Sequence, residues 1–364
     1  MIAMTPVLER GYTWWDRSLF PRDEFEERTR VIQKAMAAAD VDALVVWSQG
    51  YHTTGQLAFL SGWPMGGAIL VRREGEPTLF SPGGGREQYF ARMQTWVEDM
   101  RSVPGRLGAV IAKTLAEDGL LTGRLGIVGY DQMSVGAFAE AMDALAGYDR
   151  VDFAEAYAAV LAPKRSREVI AIRNSLTIAT KAVEAGVAAY AAGASNAEAL
   201  VEAERIARIE RARDFRGLAN ITGGGLRPFE RVTTDRHDQL LLWIAIDQHG
   251  YWAEASNGVA GSAATAAVDA MVGAVKAGAT AGAVADAALA ALPEAARDGA
   301  LSHGLGAGTG LSLDETPVIE PGSKAVLVEG SVLSLKTFAK GMPASIATAT
   351  VKVGADGATR IAAN

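Results

Sequence analysis

Residues 302–317 read SHGLGAGTGLSLDETP, with glycine at every second position from Gly304 to Gly310, directly behind His303. A phosphate-binding loop aims backbone N–H groups at an anion, and normally lies between a strand and the start of a helix. Here the glycines run into LSLDETPVIEPG, where Pro317 and Pro321 oppose a helix start. No Lys-Ser or Lys-Thr pair follows Gly310. Glycine also serves where a chain takes positive φ or passes close to another backbone. That second use fits better, and it leaves a bent chain presenting His303.

Outward from this stretch, a chain of 364 residues is too long for one ordinary core and predicts two domains. The net charge of −7, with Lys and Arg nowhere clustered into a stripe, opposes a nucleic-acid partner. There is no cysteine, which removes disulfides, thiolate nucleophiles and cysteine-ligated metals and is what a reducing cytoplasm favours. MIAMTPVLERGYTWW lacks the basic-then-apolar order of a secretory leader. The longest apolar stretches are alanine-rich and interrupted by Gly, Asp and Lys, so no membrane span is expected. These features predict a soluble, cytoplasmic protein.

Along the chain, Asp23 is placed to cap a helix through FEERTRVIQKAMAAA, and DALVVW (42–47) reads as a buried strand. Strands in GGAILVRRE and PTLFS, a helix near 106–118, a strand in RLGIVGY and a helix near 132–146 complete an alternating α/β N-terminal domain. Pro163 and the basic Lys164, Arg165 and Arg167 mark a boundary, dividing the chain into 1–160 and 161–364. The second part has a different rhythm. Helices at 168–191 and 195–212 precede strands in LANITGG and LLLWIAID. A helical region spans 263–293, and strands follow near 324–329, 331–336 and 346–353. Long helices over several antiparallel strands predict an α+β C-terminal domain.

HGLG with DETPVI downstream, then VLVEGSVLSL and ATATVKVGADG, resembles the end of the creatinase/Xaa-Pro aminopeptidase family, the pita-bread fold. HDQLLLWIAIDQHGYWAE is similar to that family's Asp-bearing strand and its Gly-Tyr-x-x-Asp. ITGGGLRPFERVT resembles its Ser-Gly-x-Asn…Pro-His segment, and PRDEFEERTRVIQKAMAAADVDALVVW its N-terminal domain. The resemblance covers nearly the whole chain. It implies an α/β N-terminal domain, a pita-bread C-terminal domain and a homodimer. In the family's metallopeptidases two Asp, one His and two Glu hold two divalent metals. Carried over, these positions fall on Trp243, Glu254, His303, Lys336 and Thr348. Only His303 and Glu254 are possible ligands, and Lys336 would repel a dication, so the expectation is no metal and no other cofactor. Creatinase implies that metal-free C–N bond cleavage also occurs on this fold. Its histidine base lies in the Pro-His segment, where this chain has Pro228-Phe229-Glu230.

The expected catalytic groups are therefore His303, Glu254 and Lys336. An imidazole titrates near neutrality and suits acid–base work. A carboxylate can orient it or act as base, and an ammonium can hold a carboxylate or oxyanion. A structural Glu254–Lys336 ion pair filling the old metal cavity is the competing expectation. Trp243 can stack on a flat or cationic group. Asp314 stands where the family has its second histidine, with Glu315 and Pro317 matching its Glu-x-Pro. Thr348, Arg227 and Glu230 complete the expected substrate-binding set, and Trp63 of SGWPM is expected to reach a partner subunit's site. The expected function is a metal-independent hydrolase or lyase cleaving a C–N or related bond in a small polar nitrogen compound. The alternatives are a non-catalytic binding protein with a vestigial pocket and an Xaa-Pro metallopeptidase.

Overall fold

The structure is a computed structural model that describes residues 15–48, 55–63, 65–81, 91–103, 105–222, 225–229, 233–341 and 343–364. It divides into two compact units, residues 1–161 and 162–364. Among the described residues no helix is long and apolar enough to cross a membrane.

The first unit alternates helices and strands, as the sequence predicts. Its helices are α1 (Arg22–Ala38), α2 (Gly55–Ser61), α3 (Leu107–Glu117), α4 (Val135–Ala144) and α5 (Ala154–Leu161). Its strands are β1 (Ala43–Ser48), β2 (Gly67–Arg72), β3 (Thr78–Ser81), β4 (Met100–Ser102), β5 (Arg124–Val128) and β6 (Asp149–Asp152). They form one sheet in the order β4-β3-β2-β1-β5-β6. β1 is parallel to β5 and antiparallel to β2. All six β1 residues are buried, which is why ALVVWS is continuously small or apolar except at its terminal serine. Asp23 does not cap α1. Pro21 holds that position, and Asp23 with Glu24 lies in the first turn, where a carboxylate favours the helix dipole.

The second unit opens with α6 (Ser166–Ala191) and α7 (Asn196–Ile209). One face of α6 buries Ala171, Ile172, Leu176, Ala179 and Val183 at helical spacing. Ser195 caps α7, accepting from Glu198 N, while Glu198 accepts in return from Ser195 N. β7 (Asp214–Ala219), β8 (Arg227–Pro228), β9 (Leu242–Gln248) and β10 (Tyr251–Ser256) form an antiparallel sheet in the order β10-β9-β7-β8. β7 lies earlier than the expected LANITGG strand and shares only Leu218 and Ala219 with it. Asn220 turns its side chain into the ladder's role: Oδ1 accepts from Asn196 Nδ2 and from Leu241 N, both at 2.7 Å.

The alanine-rich region is two helices, α8 (Ala263–Ala274) and α9 (Ala281–Ala291), followed by α10 (Glu294–His303). Thr280 caps α9 by accepting from Ala283 N. β11 (Gly306–Gly308), β12 (Glu315–Val318), β13 (Val332–Ala339), β14 (Ser345–Val353) and β15 (Ala358–Arg360) form a second antiparallel sheet in the order β12-β11-β13-β14-β15. Residues 324–329, expected as a strand, form only a single bridge, Val326 to Thr280. Their partner is the short link between α8 and α9, too short to extend a ladder.

The glycine run is the hinge between α10 and β11. His303 is the last helical residue, and Gly304 ends the helix at φ 78°. Gly306 has φ 121°, and a Cβ there would lie 2.1 Å from the Ser334 carbonyl oxygen. The run therefore serves close backbone approach and positive φ.

Candidate functional site

The β9–β10 hairpin sets Trp243 opposite Ser256 and Ala245 opposite Glu254. Strand alternation puts Trp243, Ala245, Glu254 and Ser256 on one face. Glu254 is buried, and its Oε2 accepts from Trp243 Nε1 at 2.7 Å. From the other sheet, Lys336 of β13 stands opposite Thr348 of β14. Lys336 Nζ donates to Glu254 Oε1 at 3.2 Å and lies 5.3 Å from the centre of the Trp243 ring. Both carboxylate oxygens of Glu254 are thus engaged. The ammonium is held by a buried charge and an aromatic face together. Asp314 Oδ1 is 4.0 Å from the same ammonium, but its side chain is 62% exposed, so its attraction is screened. The Thr348 hydroxyl is 3.2 Å from that of Ser256.

His303 is held at its Nδ1 side. That nitrogen lies 3.0 Å from the Gly299 carbonyl oxygen and 3.1 Å from Ser302 Oγ. Ser302 Oγ itself donates to the Gly299 carbonyl. A carbonyl only accepts, so in the neutral imidazole Nδ1 carries the proton and Nε2 the lone pair. The imidazole packs on Phe338, ring centres 4.4 Å apart. Phe338 lies two residues beyond Lys336 on the same face of β13 and shares a buried cluster with Trp243, Trp252 and Leu313. His303 therefore joins the Lys336–Glu254–Trp243 group through Phe338.

The structure brings together Trp243, Glu254, Lys336, Thr348 and Asp314, with His303 beside them. Other expected residues are placed elsewhere. Glu315 pairs with the buried Lys164 at 2.5 Å and accepts from Ser312 N. Arg227 is exposed on β8. Trp63 is buried in the first unit, its indole N–H donating to the Gly66 carbonyl. Glu230 lies outside the described residues. Ser256 and Phe338 were not singled out from the sequence. The signal available was strand alternation, since each lies two residues from a named site residue.

The dinuclear metal centre implied by the fold family does not fit these residues. Glu254 has both oxygens committed to Trp243 and Lys336, and Lys336 adds a positive charge where a dication would sit. The Nδ1 of His303 faces a carbonyl. Among the described residues no three His, Asp or Glu side chains are grouped to hold a metal.

Residues 260–358 match the metallopeptidase family M24. The X-Pro aminopeptidase of Thermotoga maritima MSB8 is similar in structure, with a TM-score of 0.76, 16% identity, and 92% of this chain and 97% of that chain covered. The dipeptidase PepE of Mycobacterium ulcerans superposes with a TM-score of 0.71 at 21% identity, covering 96% of this chain and 97% of that one. The N-terminal domain of FACT complex subunit SPT16 from Cicer arietinum (chickpea) gives 0.66 at 14% identity, covering 93% and 96%. No curated protein matches the sequence.

Proposed function

We propose that this chain, which has the pita-bread fold of the creatinase/Xaa-Pro aminopeptidase family, is a metal-independent enzyme. It cleaves a C–N or related bond in a small polar nitrogen compound, by hydrolysis or elimination. The observation that carries this reading is the Lys336 ammonium, pinned between the Glu254 carboxylate and the face of Trp243. A fixed cation in a largely buried site stabilises a substrate carboxylate or a developing oxyanion without metal. Lys336 has three donors and commits one to Glu254, and its side chain is partly accessible. His303, protonated at Nδ1, has its Nε2 lone pair free to take a proton from substrate or water. Trp243 offers its indole to a flat or cationic group. Asp314 at the rim, with Thr348 beside Lys336, completes the binding set. A cytoplasmic homodimer without nucleic-acid or membrane partners belongs to the same reading.

A second reading, a binding protein with an inert pocket, is favoured by the internal saturation of Glu254 and by the structural likeness to a FACT subunit domain. The names of the other similar structures support an Xaa-Pro metallopeptidase, and the donor set weighs against it. One experiment separates the three. Wild type and His303→Ala are incubated with amino acids, guanidino compounds, cyclic amidines and Xaa-Pro peptides, with EDTA or with added Mn²⁺ or Co²⁺, and followed by mass spectrometry. The proposal expects EDTA-insensitive consumption that falls about 100-fold or more in His303→Ala at unchanged Tm. No consumption anywhere favours the binding protein. Cleavage of proline peptides only with added metal overturns metal independence.

A further inference from the structure

In the first unit β3 is parallel to β4, β1 is parallel to β5, and β2 is antiparallel to both β1 and β3. Strands β1, β3, β4 and β5 therefore all run in one direction. At the carboxyl ends of β1, β3 and β4 lies a crevice of about 420 Å³, bounded on the helix side by the starts of α3 and α4. Open α/β sheets receive ligands at this end, and the volume is in the range of small-molecule sites. Its described lining residues all belong to the first unit and include none of the candidate site. We propose that this crevice binds a flat, uncharged and mainly apolar molecule of one or two aromatic rings.

Glycines in the lining separate what the fold needs from what the crevice needs. Gly67 is required by the backbone, since its φ is 143° and a Cβ there would lie 2.2 Å from the Phe80 carbonyl oxygen. Gly105 and Gly136 are different. Neither has positive φ, and a Cβ built on either meets no atom of another segment within 4 Å. Gly136 is also the second residue of α4, where alanine favours a helix more than glycine does. Backbone and neighbours thus leave these two glycines unexplained. Their effect is to keep the rim of the crevice bare, so that a flat ring can lie against the main chain. Trp47, Val103, Leu107 and Ala137, which share one apolar cluster, supply the rest of the contact surface.

Charge fixes the remainder of the class. Glu140 of α4 accepts from Gly108 N and Ala109 N, both at 2.9 Å, and so caps α3. Ser134 caps α4 by accepting from Ala137 N. Both helix starts are capped from within the unit, so neither calls for an anion. The Glu140 carboxylate in the lining repels an anion, and Arg106, 3.9 Å from it, opposes a cation. With these charges balanced, apolar contact with an uncharged ligand is the interaction left to gain. The inference goes beyond the proposed activity and holds whether or not the second unit is catalytic.

The test is ¹⁹F NMR of 5-fluoroindole titrated with wild type, Gly136→Phe and Gly105→Phe. Wild type should give saturable line broadening. Each Phe variant places a ring in the space left by its glycine, so affinity should fall about tenfold or more while the fold is kept. Near-UV circular dichroism identifies a variant that does not fold, in which case the other one decides. A charge series on wild type stands whatever the variants do. The anion 5-fluoroindole-3-acetate and the cation 5-fluorotryptamine should each bind about fivefold or more weakly than 5-fluoroindole, because the crevice offers neither charge a partner. Absence of saturation with wild type, wild-type affinity in a folded Phe variant, or equal binding of a charged analogue overturns the proposal. None of these outcomes bears on turnover of the substrate panel, so the two readings fail separately.

Discussion

Glu254 is 1% exposed, and each of its oxygens accepts one hydrogen bond, from the Trp243 indole and the Lys336 ammonium. Burying a carboxylate is tolerable only while such partners remain. Lys336→Met should therefore cost about 3–5 kcal/mol, because it strands the Glu254 charge. The double variant Lys336→Met/Glu254→Gln should be more stable than Lys336→Met alone, since both charges leave together. Urea denaturation of the four-protein cycle measures this, and a double variant as unstable as the sum of the singles would show the pair is not coupled. The lysine itself was legible as a departure from the family pattern. Its distance to Glu254, 82 residues away, was not, because it depends on how two separate sheets approach. Glu315 shows the limit more plainly. Its partner Lys164 is 151 residues distant, and the basic cluster around Lys164 read as a boundary marker.

At the scale of elements, the two glycines that follow His303 should respond differently. Gly304 has positive φ and open space around a built Cβ, so Gly304→Ala carries only the conformational cost, about 1–3 kcal/mol. Gly306→Ala adds a collision with the Ser334 carbonyl and should cost more than about 3 kcal/mol. Thermal or urea denaturation of both distinguishes the two causes, and equal losses would contradict the packing account. Helix α7 carries a pH-dependent contribution. The Ser195 backbone N–H donates to the Glu198 carboxylate and, with the Ser195 hydroxyl, holds its pKa below the ordinary value of 4.5. A depressed folded pKa stabilises above the unfolded value and is lost as pH falls through the folded one. Glu198→Gln should therefore flatten the acid limb of the stability curve below pH about 4.5 and leave its neutral-to-alkaline part parallel to wild type. A curve still as steep as wild type would assign that limb to other carboxylates. Helix existence was legible from apolar spacing. The failed strand at 324–329 was not, because a strand needs a partner of matching length, and the α8–α9 link is too short.

For the whole molecule, the prediction concerns metal. Divalent ions that bind the folded state raise its stability by about 2.7 kcal/mol at a hundredfold excess over Kd. With Glu254 saturated and Lys336 in place, Mn²⁺, Co²⁺ and Zn²⁺ should leave Tm unchanged, and a chelator should leave it unchanged too. A rise in Tm of several degrees on adding Mn²⁺, reversed by EDTA, would contradict the donor-set argument. The α/β and α+β character of the two parts was legible because periodicity changes between them. The fold itself was legible only through the ordered motifs around His303. The chemistry of the pocket was readable as a loss of ligands and, in the competing expectation, as the Glu254–Lys336 ion pair that the structure contains, while the Trp243 indole bonded to Glu254 needed coordinates.

The Trp243 contacts have an optical consequence. An indole whose N–H binds a carboxylate and whose face carries an ammonium sits in a strong fixed electric field, which sets the energy of its excited state. A solute that draws Lys336 away, or competes for Glu254, changes that field and therefore the colour of the emission. The chain has seven tryptophans, so the difference between wild-type and Trp243→Phe spectra isolates this signal from the rest. The pocket thus contains its own fluorophore, able to register an occupant before any reaction has been identified.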